Sequence, residues 1–302
     1  MCPFLIILCV FVHGIILTSA CGDHPVKYVI SKIYDGEYTL TEIEQNVITS
    51  LDHAYSIKLT IPVKKLCKGL LNITHLTRYL YINEGLEDIE PGVFEKQMII
   101  EGFFFGNNRL KTIRKGTFEN LLELNEIDLT YNEISVIEPG AFNNLTNLRI
   151  LHLSKNKLTT LNPDSIINTP RLVTLNMNTN FLGKLKPKMF SFLAKDKAVD
   201  LSFSQNFLTD IHYKTFEDFD IIKFNISMNK LRSIPDVIAK NRNLELVDLS
   251  WNQLRNLPGE FFELKKLKNV VVHGNPLDCI TLSKLRKLGH ELNMNILLDS
   301  FC

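Results

Sequence analysis

The sequence lacks the short motifs by which many enzymes are recognised. It contains no glycine-rich phosphate loop, no HExxH, no paired CxxC and no GxSxG. The 8 histidines are scattered along the 302 residues, and no nucleophile, base and orienting residue fall together. We therefore expect no catalytic residue, no metal site and no cofactor.

A surplus of charge of one sign is also missing. The 34 Lys and Arg residues nearly balance 33 Asp and Glu residues, for a formal net charge of +1. No basic stripe with interleaved aromatic residues is present, so nucleic acid is not expected as a partner. Lysines cluster in residues 184–197 and 265–268. These clusters suit an acidic glycan or, as the balanced charge favours, a solvated surface.

No apolar run is long enough to span a membrane. One run covers residues 4–17, and the small residues Thr18, Ser19 and Ala20 follow it. This pattern predicts a secretory signal peptide over residues 1–20, with Cys21 as the first mature residue. Because no Lys or Arg precedes the run, a bacterial lipoprotein signal or an uncleaved anchor are alternatives. We expect a secreted, extracellular protein with no membrane span after cleavage.

What the sequence does have is an asparagine that recurs at a nearly fixed period. The first steps are 24 residues, one step is 26, and the last three are 23. A period of this length indicates a solenoid of stacked repeats. The recurring residues are Asn108, Asn132, Asn156, Asn180, Asn206, Asn229, Asn252 and Asn275.

Apolar residues keep fixed offsets from each asparagine: eight, five and three before it, and two and often five after it. Around Asn156 they are Leu148, Leu151, Leu153, Leu158 and Leu161. The pattern LxxLxLxxNxL resembles the leucine-rich-repeat family, in its typical 24-residue class, from about Leu76 to Leu277. The chain also resembles secreted, insect-like animal recognition proteins of that family.

This resemblance implies an α/β fold, a curved horseshoe of about nine repeats. A parallel sheet would line its concave face, and short helical or irregular segments its convex face. Offsets −5 and −3 lie on one side of a short strand and should be buried. The asparagine amide both donates and accepts, so it can satisfy backbone groups in the turn that follows. In the first repeat Glu84 is predicted at the ladder position.

A phenylalanine ten residues after the asparagine is predicted to fill the outer side of the coil. Ile166 and Ala239 take that place in two repeats, and the 23-residue repeats should be thinner there. The predicted aromatic positions are Phe94, Phe118, Phe142, Phe190, Phe216 and Phe262.

Four of the 6 cysteines flank the repeats, and Cys2 and Cys9 would leave with the signal peptide. We predict an N-terminal cap over residues 21–72, repeats over 73–277 and a C-terminal cap over 278–302. Caps of this kind cover the exposed ends of a repeat array. Three disulfide pairings are possible. The distance between the two ends of the array favours Cys21–Cys67 and Cys279–Cys302, and free thiols are the alternative.

Residues 273–279 resemble the entry to the family's C-terminal cap, although the usual four cysteines are reduced to two, and residues 280–292 should form an amphipathic helix. Residues 28–30 and 56–61 resemble cap strands.

Three sequons mark candidate glycosylation sites at Asn72, Asn144 and Asn225. Asn225 falls on a predicted concave strand. A glycan there would obstruct the C-terminal half of the face, whereas an unused sequon would leave that half open.

The predicted register also assigns a binding face. Apolar residues gather at the N-terminal end of the concave columns, which often marks an interface; the alternative is that the N-terminal cap covers them. Asp128 and His152 are adjacent there and are expected to be a surface pair, not a catalytic dyad. The candidate residues are Leu80, Ile82, Phe104, Asp128, Tyr131, His152, Lys155 and Trp251.

The sequence therefore predicts a binding protein for an extracellular protein or glycan, acting in immune recognition, cell signalling or adhesion. A structural matrix protein and a non-catalytic subunit of a secreted complex are the alternatives. Co-purification from the native fluid would separate these roles. The oligomeric state is not predicted.

Overall fold

The computed structural model describes residues 29–34, 37–42, 56–59, 64–68, 78–95 and 99–299. The signal segment, Cys21, Asn72 and Cys302 lie outside these residues. Strands and helices are numbered in chain order.

One 13-stranded sheet runs through the described part of the chain. All its neighbouring strands pair in parallel except the first two, which form an antiparallel hairpin. Its strands are β1 (Val29–Tyr34), β2 (Glu37–Glu42), β3 (Ser56–Leu59), β5 (Tyr79–Ile82), β7 (Gly102–Phe104), β10 (Glu126–Asp128), β13 (Ile150–His152), β15 (Thr174–Asn176), β17 (Ala198–Ser202), β19 (Asp220–Asn225), β20 (Leu246–Asp248), β21 (Asn269–Val271) and β22 (Asn295–Leu297).

Short strand pairs and turns form the opposite side of each repeat. The two α-helices among the described residues are α1 (Asp236–Ala239) and α2 (Cys279–Leu292), and 3-10 turns cover Pro163–Ser165, Tyr213–Thr215 and Gly259–Glu263. The short strands are β4 (Lys65–Leu66), β6 (Asp88–Ile89), β8 (Thr112–Ile113), β9 (Phe118–Glu119), β11 (Val136–Ile137), β12 (Phe142–Asn143), β14 (Ile166–Ile167), β16 (Lys184–Leu185) and β18 (Asp210–Ile211).

The apolar offsets explain the core. Ile127, Leu151 and Leu175 are aligned in register on neighbouring strands and are fully buried. The residues between them face the other side, because side chains alternate along a strand. The predicted α/β solenoid with its parallel sheet is confirmed.

The ladder asparagines join each repeat to the one before it. The Asn156 Oδ1 accepts from the Ile134 N–H at 2.9 Å, and its Nδ2 donates to the carbonyls of Leu129 at 2.9 Å and Leu153 at 3.1 Å. All eight ladder asparagines are buried. A buried turn thus keeps its backbone groups paired.

The first repeat departs from the predicted register. Leu80 pairs with Phe103, and Ile82 accepts from the Asn108 amide, so these two residues take the buried strand positions. Leu86 donates to Asn108 Oδ1, as Leu110 does to the next asparagine. The turn from Ile82 to Leu86 is therefore one residue shorter than the turn from Phe105 to Leu110. The placement of Glu84 at the ladder position was wrong.

The outer side holds the predicted aromatic spine, with one correction. Phe118 lies between Phe94 and Phe142, with ring centroids 5.6 Å and 5.3 Å away. In the 23-residue repeat of Asn252 the buried ring is Phe261, whereas Phe262 is only partly buried. The 3-10 turn Gly259–Glu263 brings the earlier of the two phenylalanines inward.

The sheet continues beyond the repeats at both ends. At the N-terminal end β3 pairs with β5, with Ile57 opposite Leu80. At the C-terminal end the helix predicted over residues 280–292 is present as α2, and β22 adds a parallel strand after it. Asp278 caps α2 by accepting from the Thr281 N–H at 2.7 Å, and this hydrogen bond lowers the pKa of Asp278.

The structure also constrains the disulfide pairing. Cys67 and Cys279 are both disulfide-bonded. Cys67 follows β4 and Cys279 opens α2, and the strands from β5 to β21 lie between the two ends. Nine such strands at ~4.8 Å span roughly 40 Å, far beyond the ~7 Å Cα separation that a disulfide tolerates. The two cysteines are not bonded to each other.

Non-reducing peptide mapping of the purified protein is expected to give Cys21–Cys67 and Cys279–Cys302, since the two cysteines of each pair lie on the same side of the repeats in the sequence. The same digest after reduction serves as the control and should release four separate cysteine peptides. A peptide that links Cys67 to Cys279 would contradict the arrangement with one disulfide in each cap.

Candidate functional site

The concave face carries a cluster of aromatic side chains at its N-terminal end. The rings of Tyr81 and Phe104 stack with centroids 4.6 Å apart, and Tyr79 lies 6.3 Å from Phe104. All three are partly buried. We call these three residues the aromatic patch.

Gly102 makes room for the aromatic patch. A Cβ at this position would lie 2.8 Å from both the Phe104 and the Tyr79 rings. The two rings therefore pack directly against the strand backbone. The Tyr79 hydroxyl donates to Glu101 at 3.0 Å, and Glu101 also pairs with Arg78. These contacts fix the orientation of Tyr79.

Two of the predicted binding residues do not belong to this face. Leu80 and Ile82 are 0% exposed and lie in the core. Because one residue of register moves every side chain of a strand to its other face, the residues on the concave side are Tyr79 and Tyr81. An apolar group is thus present at the predicted end of the face, but it consists of Tyr79, Tyr81 and Phe104 instead of Leu80, Ile82 and Phe104. The sequence pattern did not predict the two tyrosines there.

Next along the face lies a pair of charged and aromatic side chains. Tyr131 is 50% exposed, and the Lys155 Nζ sits 3.7 Å from its ring centroid. Such a cation–π contact holds both side chains in place while leaving them accessible. Tyr131 and Lys155 both have left-handed backbone, as do the residues before the other ladder asparagines.

Asp128 and His152 lie side by side but do not face each other as a pair. The Asp128 carboxylate accepts from the Thr130 N–H at 2.8 Å, whereas the His152 Nε2 is 3.8 Å from a Glu126 oxygen. Both side chains are partly buried. They contribute a polar, acidic zone beside the aromatic patch. Among the described residues, no group of three or more His, Cys, Asp and Glu side chains can hold a metal ion.

The C-terminal half of the concave face is more polar. A shallow cavity of about 320 Å³ is lined by residues that include Asp200, Lys223, Asn225 and Asp248. The Asn225 Oδ1 accepts from both the N–H and the hydroxyl of Ser227, the third residue of its sequon. Asn225 therefore lies inside this hollow of the face, as predicted from the register.

Trp251 lies apart from the aromatic patch. Its ring meets His273 edge-on at 5.7 Å and lies against Gly274, where a Cβ would come within 2.7 Å of the indole. Its 56% exposure shows that this packing leaves much of the indole in solvent. The structure does not bring Trp251 together with Phe104 and Tyr131.

A second row of asparagines runs along the convex side. The Asn144 Nδ2 donates to Asn120 Oδ1 at 2.8 Å, and Asn168 donates to Asn144 at 2.6 Å. All three have left-handed backbone. The sequon at Asn144 thus lies on the face opposite the concave sheet, with its amide already engaged.

The comparisons with known proteins agree with this architecture. The Leucine rich repeat family model matches residues 122–182, and the model of the BspA type Leucine rich repeat region (6 copies) matches residues 184–278. The chain belongs to the leucine-rich-repeat family.

Among individual proteins, the chain is similar to the Transforming growth factor beta activator LRRC33 of Danio rerio. The two are 33% identical over 88 residues, which cover 26% of this chain and 13% of that protein. The chain therefore matches only a small part of this relative's length.

Two solved structures share the fold. One is a chain of the octameric complex of Latrophilin 3 (Lec, Olf), Unc5D (Ig, Ig2, TSP1) and FLRT2 (LRR), with a TM-score of 0.57 and 22% identity over 80% of this chain and 87% of that one. The other is from the TLR13-ssRNA13 complex, with a TM-score of 0.50 and 16% identity over 74% of this chain and 36% of that one. Neither described helix of the present chain is long and apolar enough to cross a membrane.

Proposed function

We propose that this chain is a secreted leucine-rich-repeat glycoprotein that binds an extracellular protein through the N-terminal half of its concave face. The observation that carries the proposal is the aromatic patch of Tyr79, Tyr81 and Phe104, continued by Tyr131 and Lys155. Aromatic side chains held rigidly beside charged groups are typical of protein interfaces.

The shape of the solenoid supports a macromolecular partner. Parallel strands from β5 to β21 place this face on a continuous surface of roughly 40 Å. A protein partner can meet the patch and the acidic zone around Glu126 and Asp128 together. Such a role is consistent with the similar proteins, one of which is named as an activator of transforming growth factor beta and one of which was solved in an octameric complex with other proteins.

The sequon at Asn225 favours the N-terminal half of the face. A glycan on Asn225 would occupy the hollow beside Asp200 and Asp248 and leave the aromatic patch open. We therefore place the partner at the patch and Tyr131. Glycosylation at Asn72, Asn144 and Asn225, secretion and the two cap disulfides are parts of the same proposal.

The proposal predicts that charge at the face weakens binding without unfolding the protein. A photo-crosslinking residue in place of Tyr131 should capture a partner from the native extracellular fluid, and the same residue in place of Tyr213 should not. Tyr213 is 58% exposed on the convex side, which makes it a matched control. With the captured partner purified, Phe104→Asp and Tyr131→Asp should each weaken the affinity about 30-fold, since loss of an interface anchor costs ~2 kcal/mol.

The melting temperature shows whether a loss of affinity comes from the binding face or from unfolding of the variant. Tyr131→Asp replaces a half-exposed side chain, so it should leave the melting temperature close to that of the original protein. Equal affinities of the Tyr131→Asp and Tyr213→Asp variants would place the binding site elsewhere.

A further inference from the structure

Exposed apolar side chains concentrate on one edge of the solenoid, apart from the aromatic patch. Eleven large apolar side chains are exposed among the described residues, and five of them are immediate sequence neighbours of a ladder asparagine. Since the ladder asparagines stack repeat upon repeat, the residues before them form one row and the residues after them form a second row. We call these two rows together the asparagine edge; its apolar members are Tyr131, Phe181, Phe207, Met228 and Trp251.

The centre of the asparagine edge is a pair of stacked phenylalanines. The Phe181 and Phe207 rings are parallel within 6°, with centroids 5.8 Å apart, and each is about half exposed. Their backbone N–H groups donate to Leu158 and Leu182 of the preceding repeats, at 2.8 Å and 3.0 Å. The pair is therefore held on a rigid support while one side of each ring meets solvent.

Solvation alone does not account for phenylalanine at these two positions. In the other repeats the residue directly after the ladder asparagine is charged, polar or proline, namely Arg109, Glu133, Lys157, Lys230, Gln253 and Pro276. A water-exposed ring at the same place has no role in the core. Stacking of the two rings covers only part of their area.

The residues before the ladder asparagines add a second sign of use. Tyr131, Met228 and Trp251 all have φ near +54°, where a bulky side chain costs roughly 1–2 kcal/mol and asparagine or glycine costs less. The left-handed conformation itself is shared by every residue before a ladder asparagine and belongs to the repeat turn. What points to use is that three of these positions carry large apolar side chains that face solvent.

The charge of the asparagine edge is strongly one-sided. Seven cationic and two acidic side chains lie within three residues of a ladder asparagine. Both acids are already engaged: Glu133 by Lys157 at 2.8 Å, and Asp278 by the N-terminus of α2. The hydrogen bond and charge of Lys157 also lower the pKa of Glu133. The cations are Arg109, Lys111, Lys155, Lys157, Lys230, Arg232 and Arg255.

A cation also lies directly on the phenylalanine pair. The Lys230 Nζ is 4.9 Å from the Phe207 ring centroid. Apolar contact and positive charge are thus offered at the same point. A ligand that satisfies both must carry carboxylates and apolar side chains within a few ångströms of each other.

We propose that the asparagine edge, centred on Phe181, Phe207 and Lys230, docks an acidic peptide segment of a partner protein that carries apolar side chains between its carboxylates. The centre of this surface is separate from the aromatic patch, although Tyr131 and Lys155 border both surfaces, so the chain would have two adjoining docking sites. A polyanionic glycan fits the cations equally well but leaves the two rings without a contact, and the peptide is therefore favoured.

The test is a selection of random 12-residue peptides displayed on phage, against the full-length protein. We expect enrichment of peptides that combine Asp or Glu with Leu, Phe or Trp. Their affinities, measured by fluorescence anisotropy with labelled synthetic peptides, should fall at least tenfold for the double variant F181S/F207S. The control is Tyr213→Ser, an exposed aromatic residue on the convex side, which should leave the affinity unchanged.

Further measurements test whether positive charge contributes to peptide binding and whether the double variant stays folded. Lys230→Glu should weaken the same peptides, and raising the salt concentration should weaken them further, because the charges are exposed. The melting temperature of F181S/F207S should be nearly unchanged, since both rings are half exposed. Enrichment of neutral or basic peptides would overturn the proposal, and so would equal peptide affinity of the unsubstituted protein and F181S/F207S. A third contradicting result would be the absence of any enriched peptide together with heparin binding that F181S/F207S leaves unchanged.

Discussion

Replacing Asn156 by leucine is expected to lower the free energy of unfolding by about 1–3 kcal/mol, the cost of leaving a buried backbone group without a partner. The substitution removes four hydrogen bonds at once, from the Ile134 N–H and to the carbonyls of Leu129, Leu153 and Ser154. The three carbonyls keep other donors, and the Ile134 N–H is the group left unpaired. Leucine is also apolar and of similar size, so the loss reports on polar pairing and not on a cavity.

The matched control for the Asn156 experiment is Asn256→Leu. Asn256 is exposed, and surface substitutions of this kind usually change stability by less than ~0.5 kcal/mol. Urea denaturation followed by circular dichroism gives the free energies of both variants. A loss below 1 kcal/mol for Asn156→Leu would show that water or a shifted backbone replaces the amide.

Replacing Phe118 by alanine is expected to cost about 3–5 kcal/mol, the usual range for a fully buried phenylalanine. Phe118 is 0% exposed and stacks between Phe94 and Phe142 on the outer side of the coil. Its loss leaves a gap between two repeats. The rings of both neighbours then lose contacts that a rigid stack cannot replace.

Phe181→Ala provides the comparison for Phe118→Ala, because it removes the same ring from a half-exposed position. We expect its cost to stay below ~1 kcal/mol. The same urea titration measures both variants. Similar losses for the two would mean that the outer spine is loosely packed and that burial in the structure overstates its contribution.

The sequence was sufficient for the repeat period and for most of the ladder. One asparagine with apolar residues at fixed offsets determines both which residues are buried and where the strands lie. Asn156 and its neighbours Leu151, Leu153 and Leu158 are placed by the structure as the pattern predicted.

The error in the first repeat has a specific cause. Residues 79–82 read Tyr-Leu-Tyr-Ile, so a one-residue shift still places apolar side chains inside. The pattern alone does not distinguish the two registers. Two hydrogen bonds distinguish the registers: the Leu86 N–H donates to the Asn108 Oδ1, and the Asn108 Nδ2 donates to the Ile82 carbonyl. Together they show that the turn from Ile82 to Leu86 is one residue short. The adjacent residues Phe261 and Phe262 present the same ambiguity.

The paired phenylalanines of the asparagine edge were missed for another reason. Phe181 and Phe207 follow the ladder asparagine, outside the strand columns that define the concave face. They are 26 residues apart instead of 24, so their stacking also depends on how the long repeat accommodates two extra residues. The ring distance of 5.8 Å is a property of the folded chain.

The ladder has a direction, and that direction has a consequence for how the array holds together. Each asparagine bridges back to the preceding repeat, as Asn108 does to Ile82 and Leu86. The repeat of β5 has no ladder asparagine of its own, and among the described residues no asparagine side chain bridges from it to β3. Coupling between nearest neighbours in a solenoid sets where it opens. Among the described residues, strand pairing, packing and surface ion pairs such as Lys65–Asp88 at 3.5 Å hold the boundary between β3 and β5. We therefore expect the N-terminal segment to separate there while the ladder from Asn108 onward stays intact.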